Sequence, residues 1–228
     1  MIDKKIKITI IYDNTVWDKN LIPDWGFACL IECFGKTILF DTGAKANILF
    51  GNMEKLNIDP LSVDEIFISH NHWDHTGGLT DFLAINNVPV YAPTEFAIYN
   101  QNIKLMTCDG FQRIGENIWS TGTLDNIEHS LLLEHDGRLI VIAGCSHPGI
   151  AAIFNAGRQL GKISALIGGL HGFNNFDLIK DIDMVCPTHC TQYIDEIKSI
   201  YPDKYFEGGA GRVIPIRDDE NNPVLDHF

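Results

Sequence analysis

Between positions 70 and 75 the chain reads His70-Asn71-His72-Trp73-Asp74-His75, three imidazoles and a carboxylate in six residues. The run follows the apolar stretch Glu65-Ile-Phe-Ile-Ser69 and precedes Thr76-Gly77-Gly78. The stretch before it reads as a short strand, and a strand that ends in a ligand-rich loop delivers those side chains to its C-terminal edge. His70 and His72 are separated by one residue, as are His72 and Asp74. In a loop leaving a strand they converge on a common centre, with His75 turned towards a neighbouring one. Imidazole nitrogens and a carboxylate suit zinc, iron or manganese. The glycines that follow permit close backbone packing below the site.

Hydrophobic periodicity organises the rest of the chain. Ile6, Ile8 and Ile10 alternate onto one face, and the runs Phe27–Phe34 and Thr37–Phe40 flank the hairpin signal Gly35-Lys36, which predicts three opening strands. Ile48, Leu49, Met53 and Leu56 fall at helical spacing; a short helix is expected near Thr80–Ile85, a strand at Val88–Tyr91 and a helix at Thr94–Tyr99. The segment Asn100–Glu116 is irregular and is expected to be a loop over the active-site face. The second half repeats the theme. Strands are predicted at Asn117–Ser120, Ser130–Glu134 and Leu139–Ala143, with a hairpin turn at Asp136-Gly137. A helix carrying Ile150, Ile153, Phe154 and Leu160, a buried strand Ala165–Gly168, a last strand Asp183–Cys186 and a final helix carrying Tyr193, Ile194, Ile197 and Tyr201 complete it. No linker divides the halves, so residues 1–228 are expected to form one domain. Strand-rich blocks alternating with helices predict an α/β fold, an αββα sandwich of two mixed β-sheets flanked by helices. In that layout the loops at one edge of both sheets meet.

A formal charge of −13 argues against nucleic acid, whose recognition draws on clustered Lys and Arg. Bound cations could make the field at the site positive despite that sign, so the expected partner is a small, anionic substrate. The N-terminus lacks the apolar core and cleavage site of a secretory signal, which predicts a cytoplasmic protein. The uncharged run Leu139–Gly157 is interrupted by Ser146, His147, Pro148 and Asn155 and does not read as a membrane span. Association into a homo-oligomer is left open. The six cysteines (Cys29, Cys33, Cys108, Cys145, Cys186 and Cys190) read as reduced thiols. Cys186 and Cys190 flank His189, which admits a soft metal site as well as plain packing.

The run Ser69-His-Asn-His-Trp-Asp-His-Thr-Gly-Gly-Leu79 resembles the HxHxDH signature of the metallo-β-lactamase superfamily. Three further motifs resemble that family in its order: Leu39-Phe-Asp-Thr-Gly43, Gly144-Cys-Ser-His147 and Cys186-Pro-Thr-His189. The resemblance implies two divalent transition-metal ions, zinc first, with iron or manganese as alternatives. His70, His72 and His147 would hold one ion; Asp74, His75 and His189 would hold the other. Asp41 would support the ligand loop or simply close a turn. His147 and His189, each ending an apolar strand, could instead be satisfied core histidines.

One departure stands out. Relatives supply a bridging Asp from a fourth motif, whereas the corresponding strand here reads Ala165-Leu-Ile-Gly-Gly-Leu-His171-Gly172. Either His171 reaches the second metal, as a ligand or as a proton donor beside it, or the site lacks a bridging protein ligand and binds that metal more weakly; Asp177 and Asp181 read as capping or surface residues. Asp13-Asn-Thr15, Gly26-Phe-Ala-Cys-Leu-Ile-Glu32 and Pro187-Thr-His-Cys-Thr191 extend the resemblance to the branch of dihydropterin-methyl-ribofuranosylaminobenzene phosphate synthases. The implied chemistry is hydrolysis or group transfer on a phosphorylated or ester small molecule, a pterin among the candidates, with Asp74 and His171 as catalytic candidates. Two other readings stay open, an iron-dependent oxidoreductase of the same fold and a non-catalytic, metal-stabilised binding module. Trp17, Trp25, Trp73 and Phe173 are candidates for a flat substrate platform or for core.

Overall fold

A computed structural model describes residues 5–96 and 103–216. The first half contains β1 (Ile6–Tyr12), β2 (Ala28–Cys33), β3 (Lys36–Phe40), α1 (Ala46–Lys55), β4 (Glu65–Phe67), the single turn α2 (Trp73–Thr76), α3 (Leu79–Ile85), β5 (Val90–Ala92) and β6 (Leu105–Thr107). The second half contains β7 (Gln112–Gly115), β8 (Ile118–Ser120), β9 (Leu131–His135), β10 (Arg138–Ala143), α4 (Ile150–Gly157), β11 (Lys162–Gly169), β12 (Met184–Thr188), α5 (Ile194–Ile200) and β13 (Val213–Ile216).

These strands form two mixed sheets, ordered β13-β1-β2-β3-β4-β5-β6 and β12-β11-β10-β9-β8-β7. The alternation at Ile6, Ile8 and Ile10 sends these side chains into the space between the sheets. There they join Ile31, Phe40 and Phe67 of the first sheet and Leu131, Leu133, Ile142 and Ile167 of the second. The outer face of the first sheet buries Leu39 and Ile66 under Leu49 and Met53 of α1 and Phe82 of α3. On the opposite flank Val141, Leu166 and Val185 lie under Ile153 and Phe154 of α4 and Ile197 of α5. Helix, sheet, sheet, helix is the predicted αββα sandwich. No helix among the described residues is long and apolar enough to cross a membrane.

Three expectations change. Residues 94–96 form a turn where a helix was expected, and the rest of Thr94–Tyr99 lies outside the described residues. The Asn100–Glu116 segment is not only a loop. Within its described part β6 adds to β5 at one edge of the first sheet, and β7 adds to β8 at one edge of the second. Leu105, Met106 and Thr107 are partly or fully exposed, so edge pairing by backbone alone left no hydrophobic alternation to read. The expected last strand, Asp183–Cys186, runs instead from Met184 to Thr188 and is followed by β13, which closes antiparallel on β1 with Ile6 opposite Ile216. Pro215 argues against a strand when read locally, yet β13 is an edge strand, where a missing N–H is tolerated.

Candidate metal centre

All candidate ligands sit at one edge of the sandwich. Asp41 follows β3, His70 follows β4, and α2 carries Asp74 and His75. From the second sheet, Gly144–His147 follow β10, His171 follows β11 and His189 follows β12. β3 and β4 run parallel to each other, as do β10, β11 and β12, so their C-terminal ends open on the same side. Tight packing brings the edges together. A Cβ on Gly77 would lie 2.0 Å from the Ala44 carbonyl oxygen, and one on Gly144 would lie 2.1 Å from Ser69 Oγ.

Two ligand groups result. His70, His72 and His147 place one nitrogen each within 4.8 Å of one another, and Asp74, His75 and His189 do the same with their ligand atoms. His70 Nε2 is 2.9 Å from His72 Nδ1, and His189 Nε2 is 3.3 Å from Asp74 Oδ2. His171 is exposed; its ring centroid lies 4.9 Å from that of His147, and its ligand atom groups with those of His147 and Cys145. Asp177 and Asp181 remain on the surface.

The nitrogens on the far sides of these rings are held by other residues. Asp41 accepts from the Ser69 backbone N–H and from Ser69 Oγ, both at 2.7 Å, and its Oδ2 is 2.7 Å from His75 Nδ1. Ser69 Oγ, its own proton given to Asp41, accepts from His70 Nδ1 at 2.9 Å. Asn14 Oδ1 accepts from His189 Nδ1 at 3.0 Å. A ring that donates through Nδ1 keeps the Nε2 lone pair free, so His70, His75 and His189 all present lone pairs inward. His147 Nε2 and His189 Nε2 are buried and have no hydrogen-bond partner among the described residues. Unpartnered lone pairs facing a carboxylate are unfavourable on their own and favourable around a cation, so the donor set fits a divalent metal.

Charge arguments agree. Burial, together with the neighbouring imidazoles, holds His70 well below the ordinary histidine range and His147 at about 4, so both stay neutral at physiological pH. Burial alone would push the Asp74 carboxyl up, but His189 and His75 outweigh it and hold it low. Burial likewise opposes charge on His75, yet Asp41 and then Asp74 raise it, which marks a place that favours positive charge. Trp25 Nε1 donates to Asp74 Oδ2 at 2.8 Å, and its ring meets that of His189 edge-on with centroids 5.3 Å apart. Trp73 and Trp17 are both exposed, Trp17 with the Arg212 guanidinium over its ring, whereas Phe173 packs against the outer core.

Several residues at this edge were given no role in the site from the sequence. Buried Glu128 accepts the N–H groups of Gly144, Cys145 and Ser146 through Oε1 and that of His147 through Oε2, at 2.9–3.0 Å. Buried Asp13 accepts the His189 N–H at 2.8 Å, and burial raises its carboxyl to about 6. Cys145, read as one more reduced thiol, lies with its Sγ 3.2 Å from His75 Nε2. All six cysteines are free and buried; Cys186 packs between the sheets, while Cys190 groups with His189 and Cys145. No sequence signal marks Glu128, since an acidic residue in a polar loop is ordinarily solvated.

Comparison with known proteins agrees with this fold. A sequence profile of the metallo-beta-lactamase superfamily matches residues 27–157. The chain is 28% identical to the 7,8-dihydropterin-6-methyl-4-(beta-D-ribofuranosyl)-aminobenzene-5'-phosphate synthase of Methanocaldococcus jannaschii, over 89% of this chain and 92% of that protein. Among solved structures it resembles Tm1679, a metal-dependent hydrolase of the beta-lactamase superfamily, with a TM-score of 0.76 and 22% identity over 93% of this chain and 100% of that one. A diphosphatase from the PhnP family shares the fold with a TM-score of 0.62 and 14% identity, over 93% of this chain and 97% of the other.

Proposed function

The chain belongs to the metallo-β-lactamase superfamily, and from that premise we propose that it is a metal-dependent hydrolase or transferase with a dinuclear centre, acting on a phosphorylated or ester small molecule. The observation that carries this reading is the pair of ligand triads whose histidine Nε2 lone pairs are turned inward by Asp41, Ser69 and Asn14. His70, His72 and His147 would hold one ion and Asp74, His75 and His189 the other, with zinc as the first assignment and iron or manganese as alternatives. When bound, such ions supply Lewis acidity, polarising the oxygen of the scissile group and acidifying water towards neutral pH. Asp74, fixed by Trp25, orients the nucleophile. Exposed Trp25 and Trp73 offer flat apolar surface at the rim, and the name of the Methanocaldococcus jannaschii relative, a pterin-related phosphate synthase, points to a pterin-type substrate.

Elemental analysis of the chain reconstituted with zinc, iron or manganese is expected to find two ions per chain. Metal-replete protein is further expected to turn over at least one member of a panel of phosphodiesters, pyrophosphates and carboxylic esters. Uptake well below one ion per chain with each metal rejects the centre; full loading with no turnover rejects the enzymatic reading.

His171 stands on the His147 side of the site, at the rim and open to solvent, where an imidazole can hand a proton to a departing group. His171→Ala is expected to slow turnover by about a hundredfold or more, the usual range for loss of a general acid. Metal uptake by calorimetry stays unchanged in this reading. An unaltered rate would reduce His171 to a structural role.

A further inference from the structure

We propose that the Cys145 thiolate is a ligand shared by the two halves of the metal centre; this rests on the dinuclear reading above. Cys145 Sγ lies within 4.8 Å of the ligand atoms of His70 and His75, within the same distance of those of His147 and His171, and again of those of His189 and Cys190. Among the described residues it enters three of the five groups able to hold a metal, and no other residue enters more than two. It therefore stands within 4.8 Å of ligand atoms in both the set containing His70 and His147 and the set containing His75 and His189, with His75 Nε2 at 3.2 Å.

The position is built rather than accidental. Three successive N–H groups, those of Gly144, Cys145 and Ser146, converge at 3.0 Å on Glu128 Oε1 and fix the turn that carries the thiol. On the adjoining strand end, Gly169 N–H donates to the Gly144 carbonyl at 3.1 Å, and a Cβ there would lie 2.8 Å from Cys190 Sγ and 3.2 Å from Cys145 Cα. Cys145 is 3% exposed, so its thiol is not a surface group. An independent observation points to a ligand at the same place: His189, only 7% exposed, groups with Cys145 and Cys190, and its buried Nε2, 3.3 Å from Asp74 Oδ2, makes no hydrogen bond among the described residues.

The chemistry suits the role. The strand end Gly168-Gly169-Leu170-His171 brings no carboxylate, and a neutral imidazole cannot bridge two ions as a carboxylate does, because its nitrogens diverge. A thiolate sulfur has lone pairs enough for two ions and is a strong zinc ligand. On binding, the Sγ–H proton passes to solvent and the S–metal bond forms, with no change in oxidation state.

The test is cobalt(II) titration of the full chain, read by absorption. Weak visible bands report cobalt in the site, and an intense near-ultraviolet sulfur-to-cobalt band reports the thiolate. The wild-type chain is expected to show both. Cys145→Ser should lose the near-ultraviolet band, Cys190→Ser should keep it, and Cys145→Asp should restore two-ion uptake without it. In the zinc-loaded Cys190→Ser chain, X-ray absorption should show a sulfur shell at about 2.3 Å, which decides the matter should Cys145→Ser not fold. Visible bands with no near-ultraviolet band, or a near-ultraviolet band that survives in Cys145→Ser, overturn the assignment while leaving the metal centre standing. Absence of both sets of bands overturns the centre itself and Cys145 with it.

Discussion

Asp74→Asn is expected to abolish most turnover while the protein keeps its fold. Asp74 is the one carboxylate in the two ligand triads, and its Oδ2 lies 3.3 Å from His189 Nε2, 4.0 Å from His75 Nε2 and 2.8 Å from Trp25 Nε1. Asparagine fills the same volume, so α2 and the packing beneath it are undisturbed. What changes is the charge and the donor set. An amide oxygen is a weaker ligand than a carboxylate, and the amide NH2 would point a donor where a cation or the Trp25 N–H is to be met. A loss of at least a hundredfold in kcat is expected, equivalent to about 2.7 kcal/mol of transition-state stabilisation. Steady-state rates on whichever substrate the panel finds, paired with near-ultraviolet circular dichroism, make the measurement. A variant that is folded and retains near-normal kcat would remove Asp74 from the mechanism.

The second large effect is on stability as well as on the site. Glu128 is fully buried and its carboxylate takes four backbone N–H groups from the turn that ends in His147. Removing it takes the acceptor from three buried N–H groups and one partly buried one, at about 1–3 kcal/mol for each group left unsatisfied. Glu128→Ala should therefore destabilise the protein by several kcal/mol and release His147 from its position. Glu128→Gln separates the causes. Its carbonyl oxygen can still serve the Gly144–Ser146 donors, but its NH2 then faces the His147 N–H, so a smaller loss of stability and a selective loss of the metal held by His70, His72 and His147 are expected. Urea unfolding and metal titration on both variants test this, and a Glu128→Ala variant as stable as wild type would show that the turn holds itself.

Much of the candidate site is legible in the amino-acid sequence, because its candidate ligands come in a local cluster. His70, His72, Asp74 and His75 announce themselves by spacing, and Leu39–Gly43, Gly144–His147 and Cys186–His189 each pair a strand with a polar end. The edges of the sheets are less legible. β6, β7 and β13 are stabilised by backbone pairing with β5, β8 and β1, and such pairing leaves little imprint on side-chain pattern. The irregular reading of Asn100–Glu116 and the missing last strand have that common origin.

From the sequence alone came the αββα sandwich and the ligand types, since hydrophobic period and residue chemistry are local properties carried by each segment. What only the tertiary structure decided was which groups stand together. Glu128 holds residues 16–19 positions away, Asp13 and Asn14 reach His189 across 175 positions or more, and Cys145 meets His75 across 70. Nothing in the composition of a buried glutamate or a reduced cysteine states its neighbours. Those are set when two sheets pack face to face and the C-terminal ends of β3 and β4 meet those of β10, β11 and β12 at one edge.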